Sequence, residues 1–217
     1  MTDYTEEEQV ELIRKWWAEN GVSVVVAIVI AVGGLIGWRQ WQAHTADQSA
    51  AASTIYQKML EGLESARSRP DSETDYETVR ASAQQLVSDY ESSAYADYAH
   101  LTLARLAVEG EDYATASAEL QAVIDAPASE TLEWLATIRL ARINVQTGEL
   151  DAAEKLVSGK VPESFNGQAL EIKGDILRAR DNVSGARAAY SEALEKTEGE
   201  AHKELVRMKM QDLAPVL

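Results

Sequence analysis

The sequence contains no cysteine, one phenylalanine and only four prolines among its 217 residues. The lack of cysteine excludes disulfide bonds and thiolate metal sites, but it does not identify the compartment, because many exported proteins also lack cysteine. The four prolines are widely spaced and lie in short stretches without helical periodicity, where they interrupt no helix. Good helix formers dominate from Gln42 onward, so the sequence predicts an all-α fold.

Basic residues are also scarce, and the net charge is −16. Residues 42–217 alone carry 30 Asp and Glu against 17 Lys and Arg, so the acidic character is not confined to one end. Binding to a phosphate backbone requires clustered Lys and Arg. We therefore expect no nucleic acid among the partners.

One long apolar run is present, from Gly21 to Gly37, in which Ser23 is the only polar side chain. These 17 residues would extend about 26 Å as a helix, within the range that spans a lipid bilayer. Four tryptophans flank the run, as in interfacial belts: Trp16, Trp17, Trp38 and Trp41. A cleavable signal peptide is the first alternative, but no small-residue cleavage site follows. A buried core helix is the second, but the run lacks a polar face.

The sequence thus predicts an uncleaved transmembrane helix over residues 21–41. Arg14 and Lys15 closely precede it and only Arg39 closely follows it, which favours a cytoplasmic tail over residues 1–20 and a translocated domain over 42–217. Within the helix, Gly33, Gly34 and Gly37 form a patch of small residues that would let another membrane helix approach. The alternative is that glycine is simply common in membrane helices.

Three copies of a helix–turn–helix pattern follow the predicted membrane helix. Small residues recur in the first helix of each copy and again twelve residues later, at Ala104, Ala141 and Gly174, then Ala116, Ala153 and Ala186. Turn residues lie between them: Gly110-Glu111-Asp112, Gly148-Glu149 and Arg180-Asp181-Asn182. Two antiparallel helices approach closely only where small side chains oppose each other, and such units must be stacked to bury their apolar faces. The pattern predicts a solenoid similar to the tetratricopeptide repeat.

Further helices are predicted on both sides of the three copies. Gln42–Ala66 and Tyr76–Tyr90 indicate a divergent first pair, whose first helix continues directly from the membrane helix. Glu200–Leu213 indicates a C-terminal capping helix. Its expected inward face contains Ala201, Leu205 and Met208.

The concave side of such a solenoid is the candidate partner-binding groove. By analogy with the repeat pattern, its lining is predicted to be Tyr98, Leu101 and Arg105, then Leu135, Ile138 and Arg142, then Glu171, Asp175 and Arg178. Arg105 and Arg142 occupy equivalent places and could hold a carboxylate of a partner. The alternative, favoured in so acidic a domain, is that both arginines pair with Asp or Glu of neighbouring helices.

No residue pattern indicates catalysis, a metal or a cofactor. His44, His100 and His202 are far apart in sequence, without further ligands at metal-binding spacing, and each is expected to be solvated. No glycine-rich phosphate loop and no Gly-x-Ser-x-Gly motif occurs. We therefore expect an interaction protein and not an enzyme.

Several segments resemble the YfgM family of Gram-negative bacteria, and the resemblance covers essentially the whole chain. They are the acidic N-terminus, Trp16-Trp17-Ala18-Glu19-Asn20-Gly21, Gly37-Trp38-Arg39-Gln40-Trp41, Leu140-Ala141-Arg142 and Met208-Lys209-Met210. The resemblance implies a type II inner-membrane protein with a periplasmic tetratricopeptide-like domain over residues 42–217. It also implies an ancillary subunit of the SecYEG translocon that associates with the membrane-anchored periplasmic chaperone PpiD and assists translocating polypeptides.

Two other functions stay open at the level of the sequence. The first is an envelope scaffold that does not contact translocating clients. The second is a stress-response regulator that sequesters a cytoplasmic partner through the N-terminal tail.

Overall fold

The computed structural model describes residues 6–69 and 73–213, and these form nine α-helices without a β-strand among them. The helices are α1 (Glu6–Ser68), α2 (Glu73–Asp89), α3 (Ala94–Glu109), α4 (Tyr113–Asp125), α5 (Glu130–Thr147), α6 (Leu150–Val157), α7 (Glu163–Ala179), α8 (Val183–Lys196) and α9 (Glu200–Gln211). The predicted all-α class is confirmed. The first five residues of the predicted tail, the predicted loop at 70–72 and residues 214–217 lie outside the described residues.

The chain divides into two compact units, Met1–Ala51 and Ala52–Leu217. Helix α1 continues without interruption from the apolar segment into the second unit, as predicted. No break in α1 marks residue 20 or residue 41. The division into a tail (1–20), a membrane span (21–41) and a translocated domain (42–217) therefore stays a prediction about where the membrane lies, and it corresponds to no break in the helix.

The first unit exposes its apolar side chains. An 18-residue window of α1 has a mean hydropathy of 2.4 and is only 6% buried, so this helix is long and apolar enough to cross a membrane. Tryptophan rings pack in pairs at both ends of the apolar run, with centroids 6.4 Å apart for Trp16 and Trp17 and 5.2 Å apart for Trp38 and Trp41.

The second unit contains the three predicted helical pairs, α3–α4, α5–α6 and α7–α8. In each pair one residue between the helices has a positive φ: 60° at Glu111, 82° at Gly148 and 58° at Asp181. The next helix is then capped in two of the pairs, because the Asp112 side chain accepts from the Thr115 amide and the Asn182 side chain accepts from the Gly185 amide. The repeated turn thus reverses the chain at the same place in every copy.

The small residues lie where the two helices of each pair meet, as predicted. Ala104, Ala116, Ala141, Ala153 and Ala186 are all at most 2% exposed. The third copy replaces the alanine of the first helix by Gly174, because the ring of Tyr190 occupies that space. A Cβ on Gly174 would lie 2.4 Å from Cε1 of Tyr190.

The end of α1 and α2 form the predicted first pair. Their contact buries Ala52, Met59, Val79, Ala83 and Leu86 together with residues of α3. Close packing also requires Gly62, where a Cβ would lie 2.8 Å from Cγ2 of Val79. This pair covers the apolar side of α3, which would otherwise face water.

Helix α9 packs against α8 and α7, but the predicted inward face is wrong. Leu205 and Met208 are 39% and 48% exposed and Ala201 is exposed, whereas Val206 is fully buried. The buried row instead runs through His202, Val206, Lys209 and Leu213, at helical spacing. Two of these four, His202 and Lys209, have polar side chains that face buried carboxylates of α7, a contact that apolar periodicity could not indicate.

Candidate functional site

The nine residues predicted to line the groove do not share one exposed surface. Five are buried or half-buried within the repeat domain: Leu101, Leu135, Ile138, Glu171 and Asp175. Four have exposed or half-exposed side chains: Tyr98, Arg105, Arg142 and Arg178. The expectation that Leu101 and Ile138 line the surface is wrong, because both side chains lie in apolar clusters, at 5% and 0% exposure.

The accessible row is displaced by one residue in both α3 and α5. Thr102 and Arg139 are half-buried and follow the buried Leu101 and Ile138 directly. A helix turns once in 3.6 residues, so successive residues on one face are either three or four positions apart. The burial of each side chain shows which of the two positions faces outward. Sequence analysis therefore missed Arg139. The sequence did contain a sign that Leu101 and Ile138 belong to the core, because large apolar residues at equivalent places in two copies are typical of core positions.

Three arginines line one cavity of about 370 Å³ at the contact of α3, α4 and α5. They are Arg105 from α3 and Arg139 and Arg142 from α5. The rest of the lining is one carboxylate and four apolar residues: Glu109, Ala104, Val108, Leu120 and Ile143. We call this cavity the arginine pocket.

The three guanidinium groups differ in their partners. Nε of Arg105 donates to Glu109 of its own helix at 2.8 Å, and Nη2 of Arg142 donates to Glu171 of α7 at 2.9 Å. The favoured alternative, pairing with carboxylates of neighbouring helices, therefore describes Arg142 but not Arg105, whose partner lies on its own helix. Arg139 makes no hydrogen bond or ion pair with any described residue of the chain. Its burial, together with the nearby charges of Arg142 and Arg105, lowers the pKa of Arg139.

This arrangement can bind an anion beside an apolar group. A guanidinium offers several N–H donors in a planar fork, and an unpaired, half-buried cation is an unfavourable state that a carboxylate relieves. Val108, which is 38% exposed, provides an apolar surface next to that charge, whereas Ala104, Leu120 and Ile143 are buried.

Glu171 lies at the centre of an arrangement that contrasts with the arginine pocket, because here a buried carboxylate is surrounded by basic side chains. Its side chain is 1% exposed and accepts from Arg142 of α5 at 2.9 Å and from Nζ of Lys209 of α9 at 2.5 Å. Nε2 of His202 lies 3.1 Å from the same carboxylate, without the alignment for a hydrogen bond. Burial alone would raise the pKa of Glu171, but the bonds from Lys209 and Arg142 outweigh it, and the pKa is lowered.

Asp175, one turn further along α7, completes this arrangement. It accepts from Nζ of Lys209 and, at 2.7 Å, from the hydroxyl of Tyr190 of α8. Burial and the bond to Asp175 raise the pKa of Tyr190 above its ordinary value. We call the group of Arg142, Glu171, Asp175, Tyr190, His202 and Lys209 the Glu171 cluster. It explains why Glu171 and Asp175 do not face a groove, since α9 lies over them.

Two of the three histidines are half-buried beside a carboxylate, contrary to the expectation that each is a solvated side chain. Nδ1 of His100 lies 2.6 Å from Oε2 of Glu119 on α4, and His202 faces Glu171. The helix packing brings each histidine to a carboxylate that is distant in sequence, while His44 is exposed on α1. Within the described part of the chain, no group of three or more His, Asp or Glu side chains could hold a metal ion.

A larger cavity, of about 650 Å³, lies near the start of α7 and the end of α8. Its lining includes Glu163, Glu195 and Glu198 but no large apolar side chain. Its single lysine, Lys196, is outnumbered by these three carboxylates, so this cavity lacks the excess of positive charge and the apolar lining of the arginine pocket, despite its greater volume.

The predicted glycine patch of the membrane helix is accessible along α1. A Cβ on Gly33, Gly34 or Gly37 would meet no atom within 4 Å. Packing within the described structure therefore does not require glycine at these positions. The contact of this patch with another membrane helix stays a prediction.

Comparison with known proteins identifies the family. A family model described as a tetratricopeptide repeat-like domain matches residues 14–215. A curated protein of Haemophilus influenzae and one of Escherichia coli are each 30% identical to this chain, over 96% of it and 97% of their own length, and both are named "Ancillary SecYEG translocon subunit". A Neisseria gonorrhoeae protein of the same name is 25% identical over 96% of this chain and 97% of its own length.

No solved structure matches. The family match covers most of α1, including the apolar run, and all of the helical pairs and turns described above. The resemblance inferred from the sequence is confirmed, and the chain belongs to the YfgM family of ancillary SecYEG translocon subunits with a tetratricopeptide repeat-like domain.

Proposed function

We propose that this chain is an ancillary subunit of a SecYEG translocon, held in the bacterial inner membrane by α1, and that it acts by binding other proteins and not by catalysis. The arginine pocket is the working part of its repeat domain. The observation that carries the proposal is an accessible cavity with three guanidinium groups and an apolar lining, in a family whose curated members are named as translocon subunits.

The proposal includes the partners and the topology. The repeat domain links the translocon to periplasmic chaperones such as PpiD and assists secreted or membrane polypeptides as they emerge. Residues 1–20 then lie in the cytoplasm, residues 21–41 span the bilayer, and residues 42–217 lie in the periplasm. The positive charges of Arg14 and Lys15 before the apolar run support this orientation.

Site-directed photocrosslinking in cells tests the proposal. A photoreactive residue is placed at Thr102, on the accessible row of α3, and the captured proteins are identified. Capture of translocon subunits, of PpiD or of translocating chains is expected there. A matched control carries the probe at Gln121, an exposed residue of α4, which should capture less of each.

Two outcomes would contradict the proposal. Equal capture from Thr102 and Gln121 would mean that the accessible row of α3 is not a specific surface. Capture of translocon subunits only from probes at Gly33 or Gly37 would mean that the membrane helix makes the contact and the repeat domain acts as a spacer.

A truncation lacking residues 2–13 keeps the orienting charges of Arg14 and Lys15 and separates this function from regulation through the tail. A regulator that sequesters a cytoplasmic protein should lose its effect while translocon association persists. For the proposed function, both association and capture from Thr102 should remain. Reporter fusions at the C-terminus check the topology, and a cytoplasmic signal there would overturn it.

A further inference from the structure

We propose that the arginine pocket binds an extended acidic–apolar segment of a partner polypeptide, with an Asp or Glu side chain on Arg139 and the adjoining apolar side chain against the exposed Val108. This inference rests on the proposed function, because it names the chemistry that the repeat domain recognises.

Charge complementarity is the first argument. The protein carries a net charge of −16, yet Arg105, Arg139 and Arg142 converge on one cavity. Two of them already have a carboxylate within the chain, whereas Arg139 has none among the described residues. The missing partner is therefore one anion. A carboxylate fits the planar fork of a guanidinium better than it fits a point charge.

The apolar lining is the second argument, since it distinguishes a peptide from a free inorganic anion. Of the apolar residues that line the pocket, Val108 is exposed beside the guanidinium groups, whereas Ala104, Leu120 and Ile143 are buried. A sulfate or phosphate ion would leave this surface in water. An acidic residue followed by Leu, Ile or Val would cover it while the carboxylate meets Arg139.

The accessible row of α3 offers the segment a second contact, at Tyr98. Tyr98 is 40% exposed and lies seven residues before Arg105, about 10 Å along the helix. Its ring packs on that of Tyr56, with centroids 5.6 Å apart, so the aromatic surface is held in place. An extended chain advances about 3.3 Å per residue, so a segment that follows α3 covers the roughly 10 Å between Arg105 and Tyr98 in about three residues.

Long-range repulsion does not prevent this binding. Charges farther apart than about 8 Å are largely screened at physiological ionic strength, so the acidic surface slows the approach of an acidic segment without cancelling the local attraction. The affinity should therefore fall with added salt, since it depends on charges at the pocket.

Fluorescence anisotropy of a labelled peptide with the full chain in detergent micelles tests the inference. The probe is a capped peptide, acetyl-Gly-Phe-Ser-Thr-Glu-Leu-Gly-amide, which has Phe three residues before Glu and Leu directly after it. Replacing Glu by Gln in the peptide, or Arg139→Gln in the protein, should each weaken binding at least about tenfold, because each removes a charged hydrogen bond. Both changes together should weaken it no further than either alone.

Two protein variants serve as controls. Arg80→Gln removes an arginine of α2 that pairs with Glu73 and does not line the pocket, so the affinity should be unchanged. Arg139→Lys keeps the charge but loses the fork, and it should bind with intermediate affinity. Circular dichroism of each variant confirms that the helices remain.

The inference is overturned if the Glu and Gln peptides bind equally, if no peptide binds, or if Arg80→Gln weakens binding as much as Arg139→Gln. Tighter binding of a peptide that offers only a free C-terminal carboxylate would also overturn it, in favour of a chain terminus as the ligand. Its failure is distinct from failure of the proposed function. Without peptide binding, capture of translocon subunits from Thr102 would leave that function standing, and peptide binding without such capture would contradict only the proposed function.

Discussion

The arginine pocket and the Glu171 cluster are built from the same kinds of residue in opposite proportions. In the cluster, two buried carboxylates are surrounded by Arg142, Lys209 and His202. In the pocket, three guanidinium groups share an apolar cavity, and Arg139 has no carboxylate among the described residues. Arg142 belongs to both. The first arrangement connects helices α5, α7 and α9, whereas the second leaves a charge available to a partner.

This difference separates stability from recognition within one solenoid. A buried ion pair contributes little net stability relative to a well-packed apolar group, but removing one partner is costly because the other charge is left buried. An accessible unpaired cation contributes nothing to folding and can be retained for binding. The two regions should therefore respond to mutation in opposite ways.

The largest effect is expected for Glu171→Ala. This change leaves Lys209, His202 and Arg142 without their shared carboxylate, and we expect a loss of about 3 kcal/mol in the free energy of unfolding. Urea unfolding of the full chain in micelles, followed by far-UV circular dichroism, measures it. The control is Glu109→Ala in the pocket, which breaks only the half-exposed pair with Arg105 and should cost about 0.5 kcal/mol. Equal losses for the two variants would remove the distinction between the regions.

A smaller loss is expected for Gly174→Ala. The added Cβ would lie 2.4 Å and 2.5 Å from two carbons of the Tyr190 ring, which must move and would carry its hydroxyl away from Asp175. Overpacking of this kind costs about 2 kcal/mol. Thermal unfolding compares it with Gly110→Ala, where the nearest atoms would lie at 3.6 Å and little change is expected. A Gly174→Ala variant as stable as Gly110→Ala would show that the tyrosine is not held by this contact.

The pH dependence of the Glu171 cluster has a definite sign. The pKa of Glu171 is lower in the folded protein than its ordinary value of 4.5, so the folded state binds this proton less tightly than the unfolded state does. The stabilisation is therefore complete well above pH 4.5 and is lost as the pH falls through the folded pKa. The facing groups are Arg142, His202, Lys209 and Asp175, with Tyr190 on Asp175.

Glu171→Gln tests that dependence, because the amide cannot ionise. The difference in unfolding free energy between wild type and Glu171→Gln should be largest near neutral pH and should shrink as the pH falls below 4.5. Urea titrations at a series of pH values measure this difference. A difference that stays constant over that range, or grows on acidification, would contradict the assignment.

The helical pairs and their turns could be predicted from the sequence, because they depend on local spacing. Small residues twelve positions apart mark where two helices meet, and Gly148 and the residues around Asp112 and Asn182 mark the turns. The apolar membrane helix was similarly evident. These features repeat or persist along the chain, so one misjudged residue changes little.

The candidate site was less predictable, because it depends on the rotation of each helix and on contacts distant in sequence. On α5 the predicted row stepped three residues from Leu135 to Ile138, whereas the accessible position is Arg139, four residues on. The prediction therefore named an apolar residue in place of a charged one. The inward face of α9 was missed for a different reason. Its half-buried Lys209 is 38 residues from Glu171 and 34 from Asp175, and no periodic pattern connects them.

The smallest stability change, of opposite sign, is expected for Arg139→Gln. Burial and the nearby Arg142 and Arg105 lower the pKa of Arg139, so the charged side chain is less favourable in the folded protein than in the unfolded chain. Removing the charge should leave stability unchanged or raise it by about 0.5 kcal/mol, whereas Glu171→Ala lowers it strongly. The urea midpoint measures this directly. A clear loss of stability for Arg139→Gln would mean that Arg139 stabilises the fold as the cations of the Glu171 cluster do, and the contrast between the two regions would then rest on binding alone.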